Sequence, residues 1–157
     1  MFLARYFNLS YGRDEALEFF ALFGRFEFAL KRAGYLTDKA DPNWDAFAGV
    51  IGDQFFKASR QRKEVDVLFR KPAGKLVQVD GVLEWKEMPT PTNGVELIVQ
   101  VRRIRNNFFH GEKATMSQRD VELITAAGCV LEEAYYVAER CTEIAKYFED
   151  YTPGGQQ

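Results

Sequence analysis

The sequence predicts an all-α protein, a helical bundle of four main helices with a small β-hairpin insertion. Long segments repeat their apolar residues at the three- and four-residue spacing of an amphipathic helix. An Asp-Gly pair between two short β-prone runs indicates the hairpin. The chain has 157 residues, 46% of them hydrophobic, including 14 phenylalanines, so it can bury a core. We therefore expect one domain over residues 1–157.

The boundaries of the elements follow from residues that favour helix starts, helix ends and turns. The four helices are expected at about 14–33, 42–59 (or 43–59), 94–109 and 118–148, and the hairpin at about 76–85, between the second and third helices. Ser117 and Asp120 resemble a capping box at the start of the last helix, which is long enough to bend or break near Gly128. Residues 1–13 fit no clear element, and residues 152–157 are expected to form a flexible tail.

From the last turn of the second helix to the hairpin, the chain is rich in basic residues. This stretch either forms a solvated face or provides a local positive field that attracts an RNA backbone. It lacks the interleaved aromatic residues of a base-stacking platform. Its cationic residues are Lys57, Arg60, Arg62, Lys63, Arg70, Lys71 and Lys75.

Several classes of protein are disfavoured by composition. The formal net charge of −2 gives no overall attraction to nucleic acid. The absence of a long apolar run and of a signal peptide predicts a cytoplasmic protein without membrane contact. Cys129 and Cys141 lie about 18 Å apart if they share one helix, so they cannot pair with each other. With one histidine and two distant cysteines we expect no metal site and no cofactor.

The most informative stretch is residues 102–113, which contains the only histidine of the chain. An arginine can hold a phosphate through its planar fork of donors. A histidine moves protons near neutral pH, and asparagine side chains orient their neighbours through hydrogen bonds. Arg105, Asn106 and His110 therefore form a candidate catalytic group for phosphodiester chemistry without a metal.

Arg105 shares a helix face with the apolar residues Ile98, Val101 and Phe108. Since an unpaired charge is costly on that face, Arg105 should have a partner or a function. Glu27, at the edge of the apolar stripe of the first helix, could pair with it, although an ordinary solvated position for Glu27 is the alternative. Arg102 is a further candidate for a supporting role.

His110 would lie about 140° around the helix axis from Arg105 if the helix continued unbroken. Gly111 could end the helix and let the ring turn back towards Arg105, while Asn106 lies four residues before His110 and could orient it. Alternatively, His110 could simply cap the helix end, and Arg105 could extend to water or pair with a carboxylate.

The segment Arg105-Asn106-Asn107-Phe108-Phe109-His110 resembles the Arg-x4-6-His signature of the HEPN superfamily in its four-residue-spacer form. The resemblance implies a helical bundle and a dimeric, metal-independent endoribonuclease, often a toxin or antiviral defence effector. It also implies that Arg105 and His110 are the active-site pair and that Asn106 is the polar residue following the arginine. In the branch silenced by nucleotidylation, a tyrosine stands two places after the histidine. Here that residue is Glu112, which disfavours silencing at this position.

The favoured hypothesis is RNA cleavage by attack of a ribose 2′-hydroxyl on the adjacent phosphate. One chain supplies one histidine, so two histidines require a composite site across a homodimer. One alternative is a non-catalytic RNA-binding or partner-docking module with the same bundle. Another is a subunit held inactive by an antitoxin or nucleotidyltransferase partner.

Overall fold

The computed structural model describes residues 12–109 and 116–149, and the side chains of Arg13 and Phe109 are outside this description. The predictions for the N-terminal arm up to residue 11, for His110 and for the tail at 152–157 lie outside the described residues. In chain order the elements are α1 (Arg13–Arg32), α2 (Trp44–Arg60), a 3-10 turn (Lys63–Val65), α3 (Asp66–Arg70), β1 (Lys75–Val79), β2 (Val82–Lys86), α4 (Gly94–Phe109), α5 (Gln118–Cys141) and α6 (Ile144–Phe148).

The predicted all-α architecture with a two-stranded insertion is confirmed. The four long helices agree with the predicted ranges at most of their ends, and β1 pairs with β2 in antiparallel register around Asp80-Gly81. Ser117 forms the predicted capping box, because its side chain accepts from the Asp120 N–H and the Asp120 carboxylate accepts from the Ser117 N–H.

The expectation for the last helix was wrong. Gly128 does not interrupt the last helix, which instead ends at Cys141 and resumes as α6 after Thr142 and Glu143. In the basic stretch after α2, the cationic side chains are exposed, as expected for a solvated face, except Arg62, which is partly buried. The stretch forms the 3-10 turn and α3, whose apolar residues Val65, Val67 and Leu68 are buried and contribute to the core.

Arg62, in the basic stretch, binds side chains of α5. Its guanidinium binds the carboxylates of Glu132 (2.9 Å) and Glu133 (3.2 Å) and donates to the Cys129 sulfur (3.1 Å). The hydrogen bond to Glu132 is the main reason that the pKa of Arg62 is raised, while burial raises the pKa of the Cys129 thiol. Arg62 therefore connects the segment before α3 to helix α5.

Aromatic side chains dominate the buried core between α1, α2 and α6. Phe26 is fully buried and lies edge-on to Phe148, with ring centroids 4.8 Å apart. Its ring also contacts Trp44 at 5.8 Å and Phe47 at 6.0 Å. Offset and edge-to-face aromatic pairs add to the stabilisation that burial itself provides.

Helix α2 is kinked at Gly52, although its sequence predicts a continuous helix. Gly52 has φ 50° and ψ −141°, a conformation that side-chain-bearing residues rarely adopt. The kink lies beside the start of α4, where a Cβ added at Gly94 would come 3.3 Å from the Gly52 carbonyl oxygen. The kink thus accompanies a close approach of α2 and α4.

We expect Gly52→Ala to destabilise the protein by about 1–3 kcal/mol, because alanine would be strained in this backbone conformation. Among the described residues, no atom outside the local backbone of α2 lies within 4 Å of the added Cβ, so the effect would come from the backbone conformation and not from a steric clash. Gly49→Ala is the matched control in the same helix and should be neutral or stabilising by up to about 1 kcal/mol. Urea unfolding of both variants would measure the difference, and equal effects would contradict the prediction.

Within the described ranges, no helix combines the length and apolar character needed to cross a membrane.

Candidate functional site on helix α4

Helix α4 carries the predicted catalytic segment, and its start is well defined. Asn93 caps it by accepting a hydrogen bond from the Glu96 N–H at 2.9 Å. The Glu96 carboxylate reaches back to the backbone N–H and the hydroxyl of Thr92 at 2.7 and 2.9 Å. The backbone hydrogen bond from Thr92 is the main cause of the lowered pKa of Glu96. These contacts fix the start of the helix.

The predicted inner face of α4 is observed. Ile98 and Val101 are fully buried, and Phe108 is partly buried against the core. Arg105 is half-buried on the same side, and its Cζ atom lies 5.5 Å from the centroid of the Phe23 ring of α1. A guanidinium over an aromatic ring is attracted by the electron-rich ring face. This contact helps to offset the cost of placing a charge on an apolar helix face.

Asn106 stands next to the guanidinium of Arg105. The Arg105 Nη1 donates to the Asn106 Oδ1 at 3.1 Å, and the Asn106 side chain is otherwise exposed. Two of the three predicted catalytic residues are therefore in direct contact, four and five residues before His110 in the sequence. His110 itself lies outside the described residues.

The two candidate supporting residues do not converge on Arg105. Among the residues that the structure describes, Glu27 makes no ion pair, so the suggested Glu27–Arg105 pair is not observed. Arg102 lies 3.6 Å from the Asp45 carboxylate of α2, and both side chains are substantially exposed. Exposed pairs of this kind contribute about 0–1 kcal/mol. Arg102 also lines a shallow cavity of about 430 Å³ with Asn106, which places these two residues on one surface.

The opposite side of α4 holds the base of the hairpin, which was not predicted. Gln100 is 2% exposed and accepts from the Ala73 N–H at 3.0 Å. Arg103 donates to the Ala73 carbonyl at 3.4 Å, and Asn107 donates to the Gly74 carbonyl at 3.1 Å. Burial lowers the pKa of the Arg103 guanidinium. The spacing of these three residues, which share a helix face, was the signal in the sequence that could have indicated this contact.

A larger cavity of about 690 Å³ opens beside the last turns of α4. One wall comes from the end of α3 and the segment that follows it, and another from the end of β2 and the loop after it. Helices α4 and α5 complete the lining. Among its lining residues are Arg70, Lys71, Trp85, Lys86, Asn107 and Arg119. Sequence reasoning missed this cavity, because its residues are up to about fifty positions apart and no single segment contains the pattern.

Residues 12–109 and 116–149 contain no group of three or more histidine, cysteine, aspartate or glutamate side chains that could hold a metal ion. Cys129 and Cys141 are both free thiols, as their separation along one helix predicts. Comparison with models of protein families, with curated proteins and with solved structures gives no match. The fold and the site therefore define a mostly helical protein with an antiparallel hairpin and an arginine–asparagine pair near the end of α4.

Proposed function

We propose that this protein is a metal-independent endoribonuclease of the HEPN type, acting through Arg105, Asn106 and His110. The observation that supports this most directly is the contact between Arg105 and Asn106, with the arginine held over Phe23. Both residues precede His110 on the same short segment. An arginine held in this way is pre-organised, so that little side-chain entropy is lost when it binds a phosphate.

In the proposed reaction, the ribose 2′-hydroxyl attacks the adjacent phosphate and the 5′-oxygen leaves. Arg105 stabilises the negative charge that builds on the phosphate oxygens. His110 acts as general acid or general base, and Asn106 orients the groups around it. The products are a 2′,3′-cyclic phosphate and a 5′-hydroxyl, and no step requires a metal ion.

The proposal includes a homodimer. Each chain has one histidine, whereas the reaction needs both an acid and a base. A two-fold axis that brings two segments 105–110 together would supply both. A variant that stays monomeric and yet cleaves at the full rate would contradict the shared site. On this proposal the protein acts on RNA in the cytoplasm as a toxin or antiviral defence effector, with an antitoxin or another defence protein as its partner.

The test is cleavage of labelled RNA in the presence of EDTA. We expect cyclic phosphate ends, and no cleavage of the same sequence carrying 2′-O-methyl groups, because that substrate lacks the attacking hydroxyl. Cleavage of the 2′-O-methyl strand, or a strict need for a divalent ion, would contradict the proposed mechanism.

A second candidate is a non-catalytic RNA-binding or partner-docking module. It is favoured by the same contacts, since stacking on Phe23 and a hydrogen bond to Asn106 are also interactions that a structural arginine makes. A folded dimer that binds RNA without cleaving several classes of RNA would support this candidate.

A further inference from the structure

The 690 Å³ cavity beside the end of α4 has the size of a ligand site, within the range of about 300–1,000 Å³ that is typical of such pockets. Its residues lie far apart in the sequence but meet where the hairpin, α3 and α5 surround the last turns of α4. We refer to it as the hairpin cavity. Asn107 and Phe108 of α4 line it, so it borders the segment that contains the proposed catalytic residues.

The charge of the hairpin cavity differs from that of the chain as a whole. Its lining includes four cationic residues, Arg70, Lys71, Lys86 and Arg119, and two acidic ones, Glu87 and Asp120. Asp120 is 3% exposed and is already engaged by the Ser117 N–H in the capping box. The cavity is therefore basic, although the chain carries a net charge of −2. A concave basic surface attracts anionic ligands.

The cationic side chains at the rim are available to a ligand. Arg70, Lys71 and Lys86 are exposed, and within the described part of the chain none of them forms an ion pair. Lys86 lies directly opposite Lys75 in the register of the hairpin. Like charges at opposed positions destabilise a strand pair. An anion bound between the hairpin and α3 would relieve this repulsion.

The inner part of the cavity is fixed by hydrogen bonds. The Arg119 Nη2 donates to the carbonyl oxygens of Lys71 (2.8 Å) and Pro72 (3.2 Å). Among the described residues the Arg119 guanidinium forms no ion pair, and these two backbone hydrogen bonds fix its position at the cavity wall. The Asn107 side chain donates a hydrogen bond to the Gly74 carbonyl, which connects this wall of the cavity to α4.

The cavity also contains an aromatic surface. Trp85 is 48% exposed, and its ring lies against the backbone of Gly74, where an added Cβ would come within 3.4 Å of the ring. All four nucleic-acid bases can stack on an exposed aromatic side chain, because each base has a π-face. The other tryptophan, Trp44, is 2% exposed in the core. Trp85 is therefore an indole with about half of its surface exposed, and it lines the cavity together with the cationic residues.

From this combination we infer that the hairpin cavity binds a segment of single-stranded RNA, with its phosphates on Arg70, Lys71 and Lys86 and one base against Trp85. The inference rests on the proposed ribonuclease function, for which it supplies the path of the substrate strand. A strand bound here passes Asn107 and Phe108 and leads to the end of α4. The substrate class is accordingly single-stranded RNA, since paired bases could not stack on Trp85.

The experiment uses the full chain and a single-stranded 2′-O-methyl oligonucleotide, which keeps the phosphates and bases but lacks the attacking hydroxyl. Binding is followed by fluorescence anisotropy of a labelled strand between about 50 and 200 mM salt, and by quenching of tryptophan emission. The test variant is R70Q/K86Q. The matched control is K57Q/K63Q, which removes the same charge from two exposed lysines of the same basic stretch outside the cavity. Circular dichroism establishes that each variant is folded.

We expect R70Q/K86Q to weaken binding roughly ten-fold at low salt. The slope of log affinity against log salt should fall in magnitude by about 1.4, because the variant loses two phosphate contacts and each contributes about 0.7 on a single strand. The control should keep the wild-type affinity and slope. The oligonucleotide should quench the emission of Trp85, and Trp85→Ala should lower the affinity about ten-fold.

Three results would overturn the inference: an unchanged salt slope for R70Q/K86Q, equal losses in both double variants, or no effect of the strand on tryptophan emission. A protein that binds through the cavity but does not cleave unmodified RNA would leave the inference standing and refute the proposed function. Conversely, normal cleavage with an unchanged KM by R70Q/K86Q would refute the inference alone.

Discussion

Arg105→Ala should lower kcat for RNA cleavage by about a hundred- to a thousand-fold, the usual effect of removing a group that stabilises charge in the transition state. Arg105→Lys should recover only part of this loss, because lysine keeps the positive charge but lacks the planar fork of donors. Initial rates on a labelled single-stranded RNA would measure both effects. The loss of stacking on Phe23 should reduce stability by only about 0.5–1 kcal/mol, so the variants should remain folded.

Arg32→Ala is the matched control for Arg105→Ala. It removes the same charge and a similar contact, since the Arg32 Cζ atom lies 4.9 Å from the centroid of the Phe28 ring. We expect its kcat to stay within a few-fold of the wild type. If Arg105→Ala behaves like Arg32→Ala while the dimer is intact, Arg105 has a structural role and the binding-module interpretation gains support.

The double variant Arg105→Ala/His110→Ala tests whether the two residues act on the same phosphate or have independent roles. Residues that act on the same phosphate are strongly non-additive, so the double variant should be little slower than the worse single variant. His110→Ala alone should reduce the rate by about a hundred- to ten-thousand-fold, as expected for loss of a positioned acid or base. Fully multiplicative losses would indicate that the two residues do not act together.

The largest effect on stability is expected for Phe26→Ala, at about 3–5 kcal/mol. Phe26 is fully buried and contacts the rings of Trp44, Phe47 and Phe148, which come from α2 and α6. Truncation removes the buried ring and leaves a cavity where three elements meet. Since domains are typically stable by only about 5–15 kcal/mol, the loss would be a large share of the total. Chemical denaturation monitored by circular dichroism would measure it.

Leu17→Ala provides the control in the same helix, because Leu17 is 54% exposed and should change stability by less than about 0.5 kcal/mol. Phe26→Leu should fall between the two, because leucine keeps part of the apolar volume but loses the ring contacts. A loss below about 1 kcal/mol for Phe26→Ala would contradict the central position of this ring in the core.

Local sequence patterns predicted the helices and the hairpin because their causes act over a few residues. Ser117 and Asp120 cap α5 across three positions, and Asp80-Gly81 directs the hairpin turn. The same reasoning failed at Gly128, since one glycine weakens a helix by only about 1 kcal/mol and packing can outweigh it. Residues around Gly128 in α5, including Ala127, Val130 and Leu131, are buried, so the helix continues through it.

The kink at Gly52 could not be predicted, because glycine permits the unusual backbone conformation but does not require it. Glu27 lies at the edge of the apolar face of α1, and Arg105 lies on the apolar face of α4, so a contact between them was possible. The rotation of the two helices relative to each other decides which residues meet. In the structure, the residue of α1 that lies beneath Arg105 is Phe23, one turn before Glu27. Such rotations are determined by side-chain packing between helices, which one segment of sequence does not contain.

The sequence by itself determined the helical class, the hairpin, the inner face of α4 and the candidate group Arg105, Asn106 and His110, because these depend on periodicity, capping and short spacing. Only the tertiary structure decided that Arg105 stacks on Phe23 and that Trp85 joins Arg70 and Lys86 around one cavity. These contacts join residues from different helices and from the hairpin. They arise when the apolar faces pack together, and the free energy of that packing depends on the whole chain.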